Sequence, residues 1–409
     1  MSGRLWFVTD QLPYPPRNGV TLPAYRHARA LCEQYALRLV LIVEDQARPD
    51  ESVLRANEAL FGPIAQLVVR RRHRLARLID ELRGLEMYQH GFEPAATDGA
   101  VSLPIAADDA LLVTPVSAVA KLQALRVPVP TCSAALVNDC TAGEYFYRLQ
   151  ERAGNWRSRL KALLDRWRSH RIGRIEGRLL APYGRVILQT PRDKQIFASL
   201  VGVEAARRVE LVPNGVDESL YALPDRAIGK DVVFMAELSG EYGPIANWLV
   251  RDVWPQVQRR GHRLRIVGRG ASEELRQSMR CAPDLLYEEY VPELTMVYRE
   301  ACLAISPVFK GFGMINKTLD AMAAGVAVLG GAAAFNGIDG FVPGTHGRIC
   351  ERPDAKDFVR ALDDMLGDPQ ACTQLGRAGR ELIGGAHRWA TSSSRLAQAL
   401  GLTLGSPST

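Results

Sequence analysis

The 409-residue sequence has no long apolar run, no metal-binding cysteine or histidine motif, and no pair of aspartates two residues apart. Its longest stretch without charged, hydroxyl or amide side chains, 321–335, is shorter than the ~20 apolar residues of a spanning helix. We therefore expect no transmembrane helix. The first ten residues carry an early arginine and no sustained apolar core, so we also expect no signal peptide and a cytoplasmic protein.

Cysteine and histidine are few and scattered. Seven cysteines show no C-x-x-C spacing, and seven histidines form no H-x-x-x-H pair. These spacings carry the common zinc and redox motifs, so their absence predicts that the protein has no metal site. We expect most of the cysteines to be small buried hydrophobic residues.

Short apolar, β-branched runs alternate with amphipathic stretches along the whole chain. Seven such runs lie between 4–10 and 208–215, and five more lie between 232–238 and 326–331. This alternation is typical of a parallel sheet covered by helices on both faces. We predict an α/β protein with two Rossmann-like doubly wound domains facing a central cleft, because such sheets bind ligands at the carboxyl ends of their strands.

A linker over 222–231 contains Pro, Gly and Asp and separates the two sets of strands. We predict an N-terminal, acceptor-side domain over 1–221, a C-terminal, donor-binding domain over 222–385, and a C-terminal helix and tail over 386–409. In the second domain we predict helices over 244–259, 272–280, 293–300, 315–324, 356–366 and 369–383.

Positive charge is concentrated in one segment of the N-terminal half. The chain has a net charge of +6, and 148–178 holds ten basic residues against three acidic ones, with Trp156 and Trp167 among them. Arginines interleaved with tryptophan and leucine suit an anionic lipid surface, and a solvated helix is the alternative. No nucleic-acid-binding module accompanies the charge, so we expect no nucleic-acid partner. The candidate membrane or acceptor patch is Arg157, Arg159, Arg166 and Arg168.

The most informative motif is the segment 310–331, KGFGMINKTLDAMAAGVAVLGG. Its first two glycines allow the backbone to approach a ligand, and a helix is predicted to begin near Met314. The first amides of that helix, with Lys317, suit a phosphate, and the carboxylate of Asp320 suits the two hydroxyls of a ribose. The same spacing also fits a surface ion pair between Lys317 and Asp320 after an ordinary glycine turn. Both interpretations stay open.

This segment resembles the donor-binding motif of GT-B glycosyltransferases of family 4, in the variant G-x-G-x-x-x-K-x-L-E-A-M-A-x-G. Three further segments are similar to that family: 5–19 to its first strand and glycine loop, 211–217 to its interdomain connector, and 232–255 to the first strand and helix of its second domain. The resemblance covers essentially the whole chain. It implies retaining transfer of a sugar from a nucleoside-diphosphate sugar to a glycan or lipid-linked acceptor, in polysaccharide or glycoconjugate biosynthesis.

The resemblance also implies roles for individual residues. Asn18 and Gly19 match the glycine loop that approaches the donor's phosphates. Lys317 matches the lysine that neutralises the diphosphate leaving group, and Asp320 matches the acidic residue, usually Glu, that holds the ribose. Arg269 is a further candidate for the diphosphate, with an exposed loop residue as its alternative. The predicted donor-binding residues are Asn18, Gly19, Arg269, Gly311, Gly313, Met314, Asn316 and Asp320.

Two departures from the family pattern affect the expected chemistry. Lys310 stands where the more familiar motif has a glutamate, and 236–248 lacks the usual arginine and lysine. Asp139 follows a strand where many relatives place a histidine or an acid. It is a catalytic candidate beside Lys317, with capping of the next helix as its alternative or additional role. The missing aspartate pair implies metal-independent transfer, in which helix amides and lysine meet the charge of the leaving group.

Three functions therefore compete. The leading one is a glycosyltransferase that uses a UDP- or GDP-sugar without a further cofactor, in the cytoplasm and on the inner face of the cell membrane if the arginine patch binds lipid. A non-catalytic GT-B scaffold subunit is motivated by Lys310 and by the missing arginine and lysine. A nucleotide-sugar epimerase would need acids and histidines around the sugar, and Asp139 has no histidine nearby in the sequence.

Overall fold

The computed structural model describes residues 3–71, 73, 75, 79, 92–95, 103–138, 143, 156–224, 229–240, 242–258, 261–311 and 313–402. The chain divides into two compact units, one formed by Met1–Pro213 with Trp389–Thr409 and the other by Asn214–Arg388. This division differs from the predicted boundary at 221/222. Leu220 and Leu223 are buried in a core of the second unit, so the chain from Asn214 onward belongs to that unit.

The first unit contains one eight-stranded sheet in the order β4-β3-β2-β1-β5-β6-β7-β8. All neighbouring strands are parallel except β3 and β4. Its central strands are buried apolar runs, as expected for strands covered on both faces. The strands are β1 Leu5–Thr9, β2 Leu37–Glu44, β3 Ala65–Arg71, β4 Phe92–Pro94, β5 Ala110–Thr114, β6 Ser133–Asn138, β7 Arg185–Leu188 and β8 Val209–Leu211.

Helices of the first unit follow most of these strands. They are α1 Thr21–Cys32, α2 Glu51–Phe61, α3 Val116–Ala124, α4 Trp156–Leu180, α5 Pro191–Leu200 and α6 Val203–Ala206, and the chain returns after the second unit to add α14 Trp389–Ala399. Leu396 and Ala397 of α14 are fully buried in the core of the first unit. The segment predicted as a separate C-terminal helix is thus part of that unit.

The second unit contains a six-stranded parallel sheet in the order β11-β10-β9-β12-β13-β14. The strands are β9 Asp231–Met235, β10 Arg263–Val267, β11 Leu285–Glu288, β12 Ala301–Ser306, β13 Val328–Gly330 and β14 Arg348–Ile349. The helices are α7 Glu218–Tyr221, α8 Tyr242–Trp248, α9 Glu273–Cys281, α10 Leu294–Tyr298, α11 Asn316–Ala323, α12 Ala355–Leu366 and α13 Pro369–Ile383, with a 3₁₀ turn at Ala332–Phe335. Two Rossmann-like parallel sheets therefore confirm the predicted fold class.

One predicted helix changes its winding. The prediction over 244–259 corresponds to α8, a π-helical turn at Leu249–Val253 and a 3₁₀ turn at Trp254–Gln256. Pro255 lies in the 3₁₀ turn and has no amide hydrogen, so it cannot continue an α-helical hydrogen-bond ladder. The buried side chains of this segment still pack into one core of the second unit.

Candidate active site

The sheet of the second unit has its topological switch point between β9 and β12. Chain order runs from β9 outward through β10 and β11 on one side, and from β12 outward through β13 and β14 on the other. Parallel α/β sheets bind ligands beyond the carboxyl ends of the strands at such a point. The segment after β12, which includes Lys317, begins at this position.

The loop after β12 is packed tightly against the end of the neighbouring strand. A Cβ placed on Gly331 would lie 2.4 Å from the carbonyl oxygen of Val308, so only glycine allows this approach. The amide of Gly331 donates to Ser306 O at 3.1 Å, and the side-chain amide of Asn336 donates to Gly311 O at 3.3 Å. These contacts hold the glycine loop in one place beside the start of α11.

The helix after this loop begins later than the sequence predicted. Gly313 has a left-handed φ of 73°, and Ile315 is extended, so α11 starts at Asn316 rather than near Met314. Asp320 consequently lies only one helical turn after the helix start. Met314 precedes the helix, and its side chain is buried in a core of the second unit.

Three hydrogen bonds fix the first turn of α11. Thr318 Oγ1 donates to Ser306 Oγ at 3.1 Å, which ties the helix to the carboxyl end of β12. The hydroxyl of Tyr298 donates to the carbonyl oxygen of Lys317 at 3.3 Å. In the connector, Asn214 Nδ2 donates to Asn316 Oδ1 at 2.9 Å, so this side-chain oxygen is already engaged. These three hydrogen bonds hold the first turn of α11 rigidly in place, with one face of the turn exposed.

Lys317 and Asp320 form an ion pair on that turn. Lys317 Nζ lies 3.1 Å from Asp320 Oδ2, and the exposed fractions of the two side chains are 41% and 12%. Burial, followed by the charge of Asp320, holds the pKa of Tyr298 well above its usual value, so Tyr298 stays a neutral donor. The ion pair between Lys317 and Asp320, which was one of the two interpretations of the sequence, is therefore present. Its lysine remains accessible to an anion, while its carboxylate lies deeper.

Two further strand ends carry charged side chains at the same edge of the sheet. After β9, Glu237 Oε1 accepts from Ser239 Oγ at 2.9 Å, and a Cβ on Gly270 would lie 2.5 Å from that carboxylate oxygen. After β10, the guanidinium of Arg269 lies 4.9 Å from the ring centroid of Tyr290. Both Glu237 and Arg269 are exposed. Arg269 thus lies at a strand end, as expected, and it is stacked on an aromatic ring.

Two donor-binding candidates of the first unit, Asn18 and Gly19, lie in the loop between β1 and α1. Asn18 Oδ1 accepts from the amides of Val20 and Thr21 at 3.0 and 2.8 Å, and Thr21 Oγ1 accepts from the amides of Arg17 and Asn18 at 2.8 and 3.1 Å. These four amides are therefore satisfied within the loop. At Gly19 an added Cβ would meet no heavy atom within 4 Å, so the space beside this residue is open.

Several predicted residues are described partly or not at all. Asp139 lies outside the described residues. Arg157, Arg159 and Arg168 are positions on α4 whose side chains lie outside the described part, and Arg166 is exposed.

A different set of α4 residues shares one side of the helix. Trp167, Arg171, Arg174 and Arg178 follow one another at spacings of four, three and four residues, which places them on one stripe. The guanidinium of Arg171 lies 5.0 Å from the ring centroid of Trp167, which is 46% exposed. With His170, Ile175, Leu179 and Gln123 of α3, these four residues line a hollow of about 460 Å³.

Sequence reasoning missed a charged cluster in the first unit. Lys121 of α3 lies 2.9 Å from Asp10, which follows β1, and 3.5 Å from Glu44 at the end of β2. In the sequence, the only indication of this cluster is that Asp10 and Glu44 lie at the ends of predicted strands. Within the described part of the chain, no three His, Cys, Asp or Glu side chains converge on a point that would suit a metal ion. No helix there is long and apolar enough to span a bilayer.

The second unit matches a known family model. Residues 229–368 match the model described as Glycosyl transferases group 1. Over 236 residues the chain is also 29% identical to the GDP-mannose-dependent alpha-(1-6)-phosphatidylinositol monomannoside mannosyltransferase of Mycolicibacterium smegmatis. That alignment spans 50% of this chain and 58% of the relative.

Solved structures resemble the whole chain. HepE of Anabaena, in complex with UDP-glucose, matches with a TM-score of 0.63 at 12% identity over 97% of this chain and 99% of that one. Sucrose-phosphate synthase of Thermosynechococcus elongatus matches with a TM-score of 0.59 at 14% identity over 97% and 98%. At these identities the likeness shows the fold alone. With the family match, it confirms the predicted resemblance to GT-B glycosyltransferases.

Proposed function

We propose that this chain, which has the GT-B fold, is a retaining glycosyltransferase. It takes a sugar from a nucleoside-diphosphate sugar and transfers it to a glycan or lipid-linked acceptor. The named relative uses GDP-mannose and acts on a phosphatidylinositol mannoside, and HepE binds UDP-glucose. Both support a nucleotide-sugar donor, and they leave GDP and UDP as the bases to test.

One observation carries the proposal: the anchored first turn of α11 at the switch point of the second unit. The helix start offers backbone amides that have no partner within the helix, which attract phosphate oxygens. Lys317 lies on the same turn with an accessible ammonium group. Charge that develops on a departing diphosphate would meet both groups at once, which stabilises the transition state.

The carboxylate of Asp320 is assigned to the ribose. It lies one turn deeper than the helix start and is mostly buried, with one oxygen 3.1 Å from Lys317. A second carboxylate oxygen remains for a hydroxyl donor, since a carboxylate accepts several hydrogen bonds. In this arrangement Lys317 orients Asp320 in the absence of donor and shifts toward the diphosphate when the donor binds.

Transfer is proposed to proceed without a metal ion. The positive charge needed at the leaving group then comes from Lys317 and the helix amides, with Arg269 as a further cation at the end of β10. Asp139, which is outside the described residues, stays a predicted catalytic group that stabilises positive charge on the sugar ring or accepts the acceptor's proton.

Calorimetric titration of the protein with UDP, GDP, ADP and TDP tests the donor site. We expect one base to bind most tightly and EDTA to leave that affinity unchanged. Asp320→Asn should weaken binding about 10- to 100-fold, because it removes a charge-assisted hydrogen bond. Asp339→Asn, a change in an exposed loop of the same unit, is the control. A folded Asp320→Asn variant with unchanged affinity would exclude Asp320 from the site.

A degenerate nucleotide-binding scaffold is the second candidate. It is favoured by Glu237, whose negative charge lies at the end of β9, at the same edge as the proposed diphosphate site. A scaffold would bind a nucleoside diphosphate and neither transfer nor hydrolyse the sugar. Incubation with UDP-glucose and GDP-mannose, followed by NMR of the released or transferred sugar, separates the two. It also shows whether the anomeric configuration is retained.

Contact with an anionic membrane surface is proposed for α4. The four arginines predicted from the sequence do not occupy positions on one side of a helix, since at 100° per residue positions 157 and 168 lie on the opposite side of α4 from positions 159 and 166. The stripe formed by Trp167, Arg171, Arg174 and Arg178 fits a headgroup layer better, because a tryptophan and three arginines point the same way. This placement would put a cytoplasmic protein on the inner face of the membrane.

Sedimentation with phosphatidylglycerol vesicles tests this contact. Each arginine near the surface contributes about 1 kcal/mol, and salt should weaken the attraction as the Debye length falls from ~10 Å at 0.1 M to ~3 Å at 1 M. We expect a triple change of Arg171, Arg174 and Arg178 to Gln to release the protein. Nucleotide affinity should stay unchanged. Wild-type protein that fails to sediment at low salt would refute the membrane contact.

A further inference from the structure

The hollow beside α4 lies away from the edge of the first sheet at which such sheets bind their substrates. Its volume of about 460 Å³ is within the range of sites that hold small ligands. Gln123 of its lining lies about 10 Å along α3 from Val116, where that helix begins beyond the carboxyl end of β5. Arg178 lies near the end of α4, shortly before β7 begins at the opposite edge. A ligand of this hollow is therefore separate from a substrate bound at the carboxyl edge.

The lining of the hollow is positively charged. Arg171, Arg174 and Arg178 line it together with His170, and the described lining residues include no Asp or Glu. Glu176 is the only acid in this half of α4. Its side chain is fully buried, and its position lies about 200° around the helix from those of Arg174 and Arg178. The hollow therefore attracts an anion.

The three arginines are spaced so that they repel one another. Arg171 and Arg174 are three residues apart, and Arg174 and Arg178 are four apart, spacings at which like charges destabilise a helix. An anion between the guanidinium groups would replace this repulsion with attraction. A carboxylate pairs with one guanidinium, whereas the dianion of a phosphate monoester has three terminal oxygens and can pair with two or three. The charge pattern therefore fits a phosphate monoester.

Apolar side chains form the rest of the lining. The ring of Trp167, which is 46% exposed, and the side chains of Ile175 and Leu179 line the hollow. The guanidinium of Arg171 lies 5.0 Å from the centroid of that ring, so the aromatic and cationic parts of the wall are adjacent. Inorganic phosphate would leave the apolar surface in water, whereas the organic part of an ester would cover it. The wall therefore suits an organic phosphate.

The opposite side of α4 is held by close packing at the end of α5. A Cβ placed on Gly173 would lie 2.4 Å from the carbonyl oxygen of Leu200, and one on Gly177 would lie 3.0 Å from Val201 Cγ1. Only glycine at position 173 allows the helices to approach this closely. Because α4 is held from behind, the hollow exists before a ligand binds, which lowers the ordering cost of binding.

We infer that this hollow binds an organic phosphate monoester, at a site separate from the proposed donor site of the second unit. The monoester can belong to a membrane lipid headgroup or to a soluble sugar phosphate, since both present the same dianion. In the first case the inference rests on the proposed membrane contact and deepens it, because monoester lipids would be preferred over other anionic lipids. It does not depend on glycosyl transfer.

Ligand-observed NMR titration of the full chain tests this preference. The monoester probes are glucose 6-phosphate and dihexanoyl phosphatidic acid below its micelle concentration. Dihexanoyl phosphatidylglycerol is the phosphodiester probe, glucuronate the carboxylate probe, and a hexaglutamate peptide represents an acidic protein. We expect at least one monoester to bind about tenfold more tightly than the other three probes. Tighter binding of the lipid than of the sugar phosphate would indicate a headgroup, and the reverse a soluble ligand.

Two variants test the position of the site. Arg174→Gln should weaken monoester binding about tenfold, because a charge-assisted hydrogen bond is lost. Gln123→Glu, which adds a carboxylate to the lining from α3, should weaken it by a similar factor. Arg166→Gln is the matched control, since Arg166 is an exposed arginine of the same helix outside the described lining. It should leave monoester affinity unchanged, as should Lys317→Ala at the proposed diphosphate site.

Several results would overturn the inference. Equal losses in Arg174→Gln and Arg166→Gln would show that α4 attracts anions only by its overall charge. Failure of both monoesters to bind, or binding of glucuronate or hexaglutamate as tight as theirs, would exclude a phosphate site. Loss of monoester binding in Lys317→Ala would place the probe in the second unit. Titration of the same samples with UDP and GDP reports separately on the proposed function.

Discussion

Replacement of Lys317 by alanine separates the two roles that its position allows. As one member of an ion pair whose lysine is 41% exposed, it contributes about 0.3 to 0.5 kcal/mol to stability. Alanine is also the best helix former, which offsets part of that loss. The free energy of unfolding should therefore change by less than about 0.5 kcal/mol. If the ion pair has only a structural role, we expect Lys317→Ala to have no other effect.

If Lys317 binds the diphosphate, a much larger effect appears only with ligand. Loss of a charge-assisted contact costs about 1.5 to 3 kcal/mol, which corresponds to about 10- to 100-fold weaker binding of UDP or GDP. Turnover should fall further than affinity, because the charge on the leaving group grows toward the transition state. The measurements are urea unfolding without ligand, calorimetric titration, and kcat and KM with the preferred donor.

The matched control is Arg377→Ala. Arg377 pairs with Glu381 on the surface of α13 at 3.1 Å and has no proposed ligand contact. Both variants should lose similar, small amounts of stability, and only Lys317→Ala should lose nucleotide affinity. Equal nucleotide affinities in the two variants would refute the diphosphate role and leave the surface ion pair as the explanation.

Three further changes have defined outcomes. Asp139→Asn should leave calorimetric nucleotide affinity intact and depress transfer, and a wild-type rate would leave helix capping as its role. Burial lowers the pKa of His27 to about 4, so between about pH 4 and 6.5 the unfolded chain binds more protons than the folded chain. The free energy of unfolding should therefore fall by up to about 3 kcal/mol as the pH drops through that window. In denaturant titrations His27→Gln should lose this pH dependence, and an unchanged dependence would contradict the assignment. In thermal unfolding, Gly331→Ala should destabilise the second unit by more than about 1 kcal/mol, because the added Cβ would clash with the carbonyl oxygen of Val308. Gly240→Ala is the control and should have a smaller effect, because its added Cβ would meet no heavy atom within 4 Å.

Most of the sheet structure follows from local sequence. Buried parallel strands such as β5, Ala110–Thr114, are continuous apolar runs, and these stand out against amphipathic helices. The start of α11 could not be predicted to the residue. The left-handed Gly313 and the extended Ile315 postpone it, and the loop that precedes them packs closely against Gly331, a residue distant from it in the sequence. Local propensity does not record such a contact.

The candidate sites also differ in how much of their geometry the sequence predicts. Lys317 and Asp320 are three residues apart, so their pairing on one turn is visible in the sequence. Asp10 and Lys121 are more than a hundred residues apart, and only the order of strands in the sheet brings them together. The stripe on α4 lies between these cases. Helical spacing predicts it once the bounds of α4 are known, whereas the four arginines predicted from charge density alone do not follow that spacing.

The return of the last helix makes the first unit discontinuous in the chain. Nδ1 of His27 and Oγ of Ser393 are hydrogen-bonded at 3.0 Å, and Ser392 Oγ donates to the carbonyl oxygen of Pro213 at 2.6 Å. The second unit is thus an insertion. During synthesis it emerges in full before α14 exists, so the unit that begins first completes its core last, the reverse of the usual N-terminal order. A stop codon before residue 389 would leave the second unit complete and would remove α14, whose Leu396 and Ala397 belong to the core of the first unit.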